Sequence, residues 1–361
     1  MKVLMITLRA DHGGGPQHID QLVNNLPYEF EIFIACPNDD PYYSMWAANS
    51  KIRDICELPH RKFDLKKLYA LHQFVKSNKI HIIHSHGKGA GIYSRLLKIL
   101  NSKLKIIHTL HGFHIQEYSS FSRKIYIKLE FFLTQFTDKF INVSNGEKEI
   151  CLNTKVFSDA QSRVIYNGIE QITKIDNAKS LLDLENKIVI TTISRFDYPK
   201  NMFFGYEIAK QFKDYDNIVF LWLGDGLDKT ILEQKAKEEN VNIIFTGFIK
   251  EIGLYLSGTD IYLSTSRWEG LPYALIEAQS LGIPIIATNV VGNNEIVEDN
   301  ITGFLFDTKE QAFHKIMLLI QETEKYQQFS NNAKDHFYLK FKKTTMIEKI
   351  VDEYLLVGSK E

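Results

Sequence analysis

The sequence predicts an α/β protein built of two doubly wound domains, and three observations carry that reading. Short apolar segments alternate with longer helical patterns, as a parallel sheet covered on both faces requires. The alternation stops in a largely polar stretch at 167–186 and then restarts. The chain has 361 residues, and at roughly 100–200 residues per domain that length suits two domains.

In the first half, apolar runs predict strands over 3–7, 30–35, 80–84, 105–109, 140–143 and 163–166. Apolar residues recurring every three or four positions predict helices over 18–25, 65–76, 90–100, 123–134 and 147–153. Asn167-Gly168 is a turn signal and opens the break. Beyond it, strands are predicted over 188–193, 218–223, 242–245, 261–263 and 284–287, and helices over 203–212, 228–239 and 272–281. Pro272 suits the first helical turn and Gly282 the position past the helix end. After Phe306 the pattern is helical to the end.

Composition excludes several classes. With 43 Lys+Arg against 44 Asp+Glu, the formal charge is -1, and 44% of residues are hydrophobic. Balanced charge and apolar residues throughout exclude a mainly disordered chain, and disfavour a dedicated nucleic-acid binder. The 3 cysteines are widely spaced with no CxxC, which argues against a disulfide scaffold and a zinc site and fits a reducing cytosol. The apolar start is cut short by Arg9 and Asp11, so it reads as a buried first strand rather than a leader. No apolar run reaches the roughly 18–20 residues of a membrane helix, so membrane contact would be peripheral.

Ligands of doubly wound sheets sit at the carboxyl ends of strands, which directs attention to the loops there. The first, Arg9 to Pro16, carries Gly13, Gly14 and Gly15 ahead of a helix. Glycines there allow close backbone approach to a phosphate at a helix N-terminus. The loop is not GxGxxG, which disfavours a dinucleotide site. Histidines cluster at His81, His84, His86 and again at His108, His111, His114. The HxxH spacings invite a metal reading, yet HExxH is absent and no thiolate or carboxylate partner is evident. A neutral histidine aimed at a polar ligand is preferred, with core packing the alternative for His81, His84 and His108. Arg195 and Lys200 share one loop and together could clamp a diphosphate. Glu269 lies just before a helix and Glu277 within it, on an otherwise apolar segment, where a carboxylate needs hydroxyl or amide partners.

Glu269 and Glu277 match the E-x7-E motif of the retaining, nucleotide-sugar-dependent glycosyltransferases of family four, and the chain resembles that family along nearly its whole length. The ordered matches include Gly13–Gly15, Thr109-Leu110-His111-Gly112, Val143-Ser144, Arg195 with Lys200, Leu223-Gly224-Asp225-Gly226 and Gly292-Asn293-Asn294-Glu295. The resemblance implies the GT-B fold, two Rossmann-like domains facing across a cleft. It places an acceptor domain at 1–168, a nucleotide-sugar domain at 169–340, and a terminal helix at 341–361 packing back on the first domain. By motif position, Arg195 and Lys200 would hold the diphosphate, Glu277 the ribose and Glu269 the transferred sugar. Backbone around Phe248 would meet the base, and the helix start at Leu271 would face the phosphates. Gly14 and Gly15 would approach the phosphates from the other domain, and His111 would reach the sugar. No metal or other cofactor is required. Asp214-Tyr215-Asp216, a DxD-like run, falls at the amino edge of the sheet and reads as a solvated loop.

The segment from His84 to Gly91, with His108 to Phe113, looks most like bacterial surface-polysaccharide transferases of the O-antigen and capsule type. That implies a UDP-sugar donor and a saccharide acceptor, often on a polyprenyl diphosphate. Two other readings stand beside it: a nucleotide-sugar epimerase on the same fold, and a non-catalytic partner subunit. The total charge also hides an asymmetry. Through residue 170 there are 22 Lys+Arg against 16 Asp+Glu, a balance of +6, and after it 21 against 28, a balance of -7. With the cation-aromatic runs at 61–69 and 121–132, the basic half could lie on an anionic membrane. The expected location is cytoplasmic, peripheral on the inner face of the cell membrane, with no nucleic-acid partner.

Overall fold

The computed structural model describes residues 1–113 and 118–359, so His114 lies outside the described residues. The chain divides into two compact units: Met1–Asn167 with Lys343–Glu361, and Gly168–Lys342.

The first unit has seven parallel strands: β1 (Lys2–Thr7), β2 (Glu31–Cys36), β3 (Ile52–Glu57), β4 (Ile82–His86), β5 (Lys105–Thr109), β6 (Lys139–Asn142) and β7 (Ser162–Val164). Their order is β3-β2-β1-β4-β5-β6-β7. The central strands β1, β2 and β4 are buried on both faces, because helices cover each side; β1 and β2 are mostly apolar, while β4 carries His84, Ser85 and His86. The helix Lys343–Gly358 belongs to this unit. It buries Met346, Ile350 and Tyr354 in the same core as Val3, Met5 and Ile82, and Glu353 pairs with Arg163 at 2.7 Å.

The second unit has six parallel strands: β8 (Ile188–Ile193), β9 (Ile218–Leu223), β10 (Ile243–Gly247), β11 (Ile261–Ser264), β12 (Ile285–Thr288) and β13 (Gly303–Phe306). They run in the order β10-β9-β8-β11-β12-β13. Its core joins Ile190, Trp222, Leu263 and Ile286 to helix residues such as Tyr206 and Ile316.

Each order reverses once, between β1 and β4 in the first unit and between β8 and β11 in the second. Such switch points leave a crevice at the carboxyl ends of the flanking strands, where ligands of open α/β sheets bind.

Two strands escaped the sequence reading. β3 is an edge strand carrying Arg53 and Asp54 exposed, so it lacks an apolar run. β13, the other missed edge, begins with Gly303, where an added Cβ would lie 2.0 Å from the Ile285 carbonyl. Among the described residues, no helix is long and apolar enough to cross a membrane.

Candidate active site

In the second unit the loops after β8 and β11 are laced together. Arg267 donates its amide to the Pro199 carbonyl at 2.8 Å and its guanidinium to Asn201 Oδ1 at 2.8 Å. That guanidinium also lies over the Tyr198 ring, 4.4 Å from its centre. Thr265 Oγ1 donates to the Lys200 carbonyl at 3.1 Å. Lys200 ends the short helical turn Tyr198–Lys200, and Asn201 follows in the left-handed region at φ 55°. Glu269 comes from the other loop, and its Oε1 accepts from Lys200 Nζ at 2.5 Å and from Ser266 Oγ at 2.6 Å. Lys200 and Glu269, with Ser194, Ser264 and Ser266, line one pocket. Arg195 lies at the mouth of β8, its guanidinium 2.9 Å from Asp197 Oδ2.

Beneath this loop pair, Tyr262 of β11 is fully buried, and its hydroxyl bonds both the N–H and the carbonyl of Ile193 at 3.1 Å. Burial raises its pKa, and the carboxylates of Glu277 and Glu269 raise it further. The tyrosine therefore braces β8 against β11 as a neutral group. The helix carrying Glu277 runs Tyr273–Ser280, with Pro272 extended at its cap rather than in the first turn. Gly282 closes it at φ 73°. Leu271 is buried, while Phe248 follows Gly247 at the end of β10 and is half exposed. The switch point thus brings Lys200 and Glu269 together in one pocket, a cation that could face a diphosphate and a carboxylate that could accept sugar hydroxyls, while Arg195 stands on the same loop as Lys200, paired with Asp197.

In the first unit the helix after β1 starts earlier than expected, at Gly14, with Gly13 as its cap. Gly14 and Gly15 are therefore its first two residues, whose amides have no partner within the helix. An added Cβ on Gly15 would lie 3.9 Å from His111 Cδ2. His111 follows β5 in the left-handed region at φ 56°, and its Nε2 is 3.0 Å from His86 Nδ1. His18, one turn into the helix from Gly14, packs edge-on to His111 with centroids 5.0 Å apart. Its Nδ1 lies 3.0 Å from Asn167 Oδ1, an acceptor, so Nδ1 carries the proton. Burial lowers His18 to about 4 despite that hydrogen bond. Burial and then the neighbouring imidazoles hold His86 and His111 well below the usual 6.5. All three rings are neutral near pH 7.

One nitrogen from each of His18, His86 and His111 lies within 4.8 Å of the others, so this group could hold a metal ion. The trio includes no carboxylate or thiolate; within it His86 and His111 bond each other, and His18 bonds Asn167. The core reading holds for His84, bonded to the Tyr354 hydroxyl at 2.7 Å and Thr109 at 2.9 Å, and for His108 against Ser85. It fails for His81, which is exposed just ahead of β4. Asp214 and Asp216 lie exposed in a turn before β9.

The sequence reading passed over His18, Ser266 and Glu147. For Glu147 a signal existed, since Ser144-x-x-Glu147 is a helix-start pattern. Ser144 Oγ accepts the Glu147 amide at 3.2 Å, and the carboxylate reaches back to the amides of Val143 and Gly112.

Comparison with known proteins follows the same division. Residues 12–171 match the family described as Glycosyltransferase Family 4, and residues 173–336 match Glycosyl transferases group 1. An Escherichia coli relative, UDP-Gal:alpha-D-GlcNAc-diphosphoundecaprenol alpha-1,3-galactosyltransferase, is 29% identical over 349 residues, covering 91% of this chain and 90% of that one. The Staphylococcus aureus capsular polysaccharide biosynthesis glycosyltransferase CapH is 25% identical, covering 82% and 83%. Anabaena HepE, solved with UDP and glucose, superposes with a TM-score of 0.86 at 17% identity, covering 99% of this chain and 100% of that one. The fold shared with such structures is GT-B.

Proposed function

The chain belongs to the glycosyltransferases that pair a family 4 domain with a group 1 domain, and from that premise we propose its reaction. It moves a sugar from a UDP-sugar to a lipid-linked saccharide in bacterial surface-polysaccharide assembly, with retention at the anomeric carbon. The observation that carries this reading is the meeting of Lys200 and Glu269 at the switch point of the second sheet. A cation and a carboxylate there suit a sugar diphosphate, whose phosphates want positive charge and whose hydroxyls want an acceptor.

Cleavage of the sugar–phosphate bond builds negative charge on the departing diphosphate. Arg195, Lys200 and the helix start at Leu271 are assigned to that charge, which pre-oriented cations and amides stabilise most in a site shielded from water. Glu269 accepts hydroxyls of the transferred sugar and Glu277 those of the ribose, with the base against the Phe248 segment. Gly14 and Gly15 serve the phosphates, and neutral His111 serves the sugar. No side-chain nucleophile is invoked. A phosphate oxygen assists removal of the acceptor proton while the acceptor attacks from the same face. No step calls for a metal ion.

UDP as donor and a polyprenyl-linked acceptor are supported by the names of relatives. HepE was solved with UDP and glucose, and the E. coli relative is named for UDP-Gal and GlcNAc-diphosphoundecaprenol. A membrane-borne acceptor needs a membrane-facing surface. On the helix Ser120–Thr134, Phe121, Ile125, Leu129 and Phe132 form one solvent-exposed stripe, flanked by exposed Lys124 and Lys128. An apolar stripe with basic flanks is the pattern that settles on anionic lipid, and we assign it to the inner face of the cell membrane.

The test is a panel of UDP-, GDP- and ADP-sugars assayed by thermal shift and by transfer to a synthetic polyprenyl-diphosphate saccharide. Response to UDP-sugars and product on the lipid support the reading. A response confined to GDP- or ADP-sugars, or transfer to free sugars alone, contradicts the corresponding half.

A further inference from the structure

In the turn after β5 a histidine adopts a conformation that glycine takes freely and other residues take uncommonly. His111 has φ 56° and Gly112 φ 106°. A histidine in the left-handed region is uncommon, and such a residue persists only where its surroundings hold it there. Among those surroundings is a buried carboxylate. Glu147, 1% exposed, accepts the Gly112 amide through Oε1 and the Val143 amide through Oε2, the latter at 2.9 Å. It stands in the first turn of the helix Asn145–Asn153, where negative charge is favoured. One side chain thereby ties the turn after β5 to the end of β6.

Burying a carboxylate is costly unless amides satisfy it. β5 and β6 are already joined by their own ladder at Ile107, His108 and Thr109, so pairing of the strands does not need Glu147. What the carboxylate adds lies beyond the ladder, at Gly112, one residue past His111. The conformation it holds sets the His111 ring 3.0 Å from His86 Nδ1 and beside Gly15 at the helix start. We propose that Glu147 is a positioning residue for His111: its carboxylate captures the Gly112 amide and so fixes the left-handed turn that presents the imidazole. This inference rests on the assignment of His111 to the transferred sugar.

The test is a double-mutant cycle with an independent structural readout. Glu147→Gln keeps the shape and loses the charge. Turnover is expected to fall at least tenfold, with the KM for UDP-sugar changed less than twofold, because the contacts assigned to Arg195, Lys200 and Glu277 are untouched. On a His111→Ala background the same substitution is expected to cost nothing further. Equal losses on both backgrounds, or a KM increase with turnover intact, would overturn the proposal. Hydrogen exchange of the Gly112 amide separates the two layers of argument. Faster exchange in Glu147→Gln is expected, and unchanged exchange overturns the anchoring itself. Wild-type turnover in His111→Ala would sink the assignment of His111 and leave the anchoring to the exchange result. Should Glu147→Gln fail to fold, Gly112→Ala perturbs the same turn with Glu147 intact. It is expected to reproduce the turnover loss, and full activity in that variant overturns the proposal.

Discussion

Lys200 and Glu269 are 69 residues apart in sequence, yet Lys200 Nζ lies 2.5 Å from Glu269 Oε1. Their side chains are 22% and 11% exposed, so the pair is partly shielded rather than a surface contact. A donor diphosphate entering this pocket would offer Lys200 a second anion while Glu269 turns to sugar hydroxyls. Lys200→Ala is therefore expected to lower turnover by about a hundredfold, the scale of losing one transition-state charge contact. Steady-state kinetics with the UDP-sugar checks this, and a loss confined to thermal stability would count against it.

Glu277 lies on the helix Tyr273–Ser280 and is proposed to serve the ribose. If it holds the ribose, Glu277→Ala removes charge-assisted hydrogen bonds to the nucleotide. UDP binding, read by calorimetry, should weaken about tenfold, equivalent to about 1.4 kcal/mol. Turnover at saturating donor should fall less than in Lys200→Ala. Unchanged UDP affinity removes Glu277 from the site.

The buried histidines give stability a pH dependence of definite sign. His18, lowered by burial to about 4, and His84, His86, His108 and His111, held by burial well below 6.5, are neutral in the folded protein. The unfolded chain takes up protons at these sites below its own pKa of about 6.5. Their neutral burial is thus fully favourable above that pH, and stability is lost as pH falls through the window between 6.5 and the folded values. Each such group adds a slope of about 1.4 kcal/mol per pH unit within its window. Tm should drop between pH 7 and about pH 5, and His18→Gln should make the drop shallower. A flat Tm over that range contradicts the neutral cluster.

The outward stripe on Ser120–Thr134 predicts a membrane phenotype without a folding one. Replacing Phe121 and Ile125, both more than half exposed, with serine should leave Tm nearly unchanged. Binding to vesicles rich in phosphatidylglycerol should weaken severalfold. Charge removal at Lys66, Lys67, Arg123 and Lys124 together should do the same and reduce the salt sensitivity of binding. Vesicle co-sedimentation that ignores both changes assigns the stripe another role.

Much of this architecture is legible in the sequence, because buried parallel strands such as β9 are short, continuous runs of β-branched, aromatic and leucine residues. Edge strands β3 and β13 are not, since an edge tolerates charge and glycine. Helix starts were misjudged where glycines open a helix, as at Gly14, because helix propensity counts against the residues that the anion-binding reading of that N-terminus needs. The pairing of Lys200 with Glu269 follows from the adjacency of β8 and β11, which depends on strand order rather than on spacing. The convergence of His18 on His86 and His111 is likewise invisible in one dimension. His18 sits alone in the sequence, and only the placement of β1 beside β4 brings its helix to the other two. His81 misleads for the opposite reason: it stands in HxxH spacing with His84 yet precedes β4 and is exposed.

The most direct measurement of the central claim follows the anomeric proton by NMR while the wild-type protein and the Lys200→Ala, Glu269→Gln double variant act on an α-linked UDP-sugar and a polyprenyl-diphosphate saccharide. The account predicts release of UDP with an α-linked product from the wild type and no product from the variant. A β-linked product, or undiminished transfer by the variant, would contradict it.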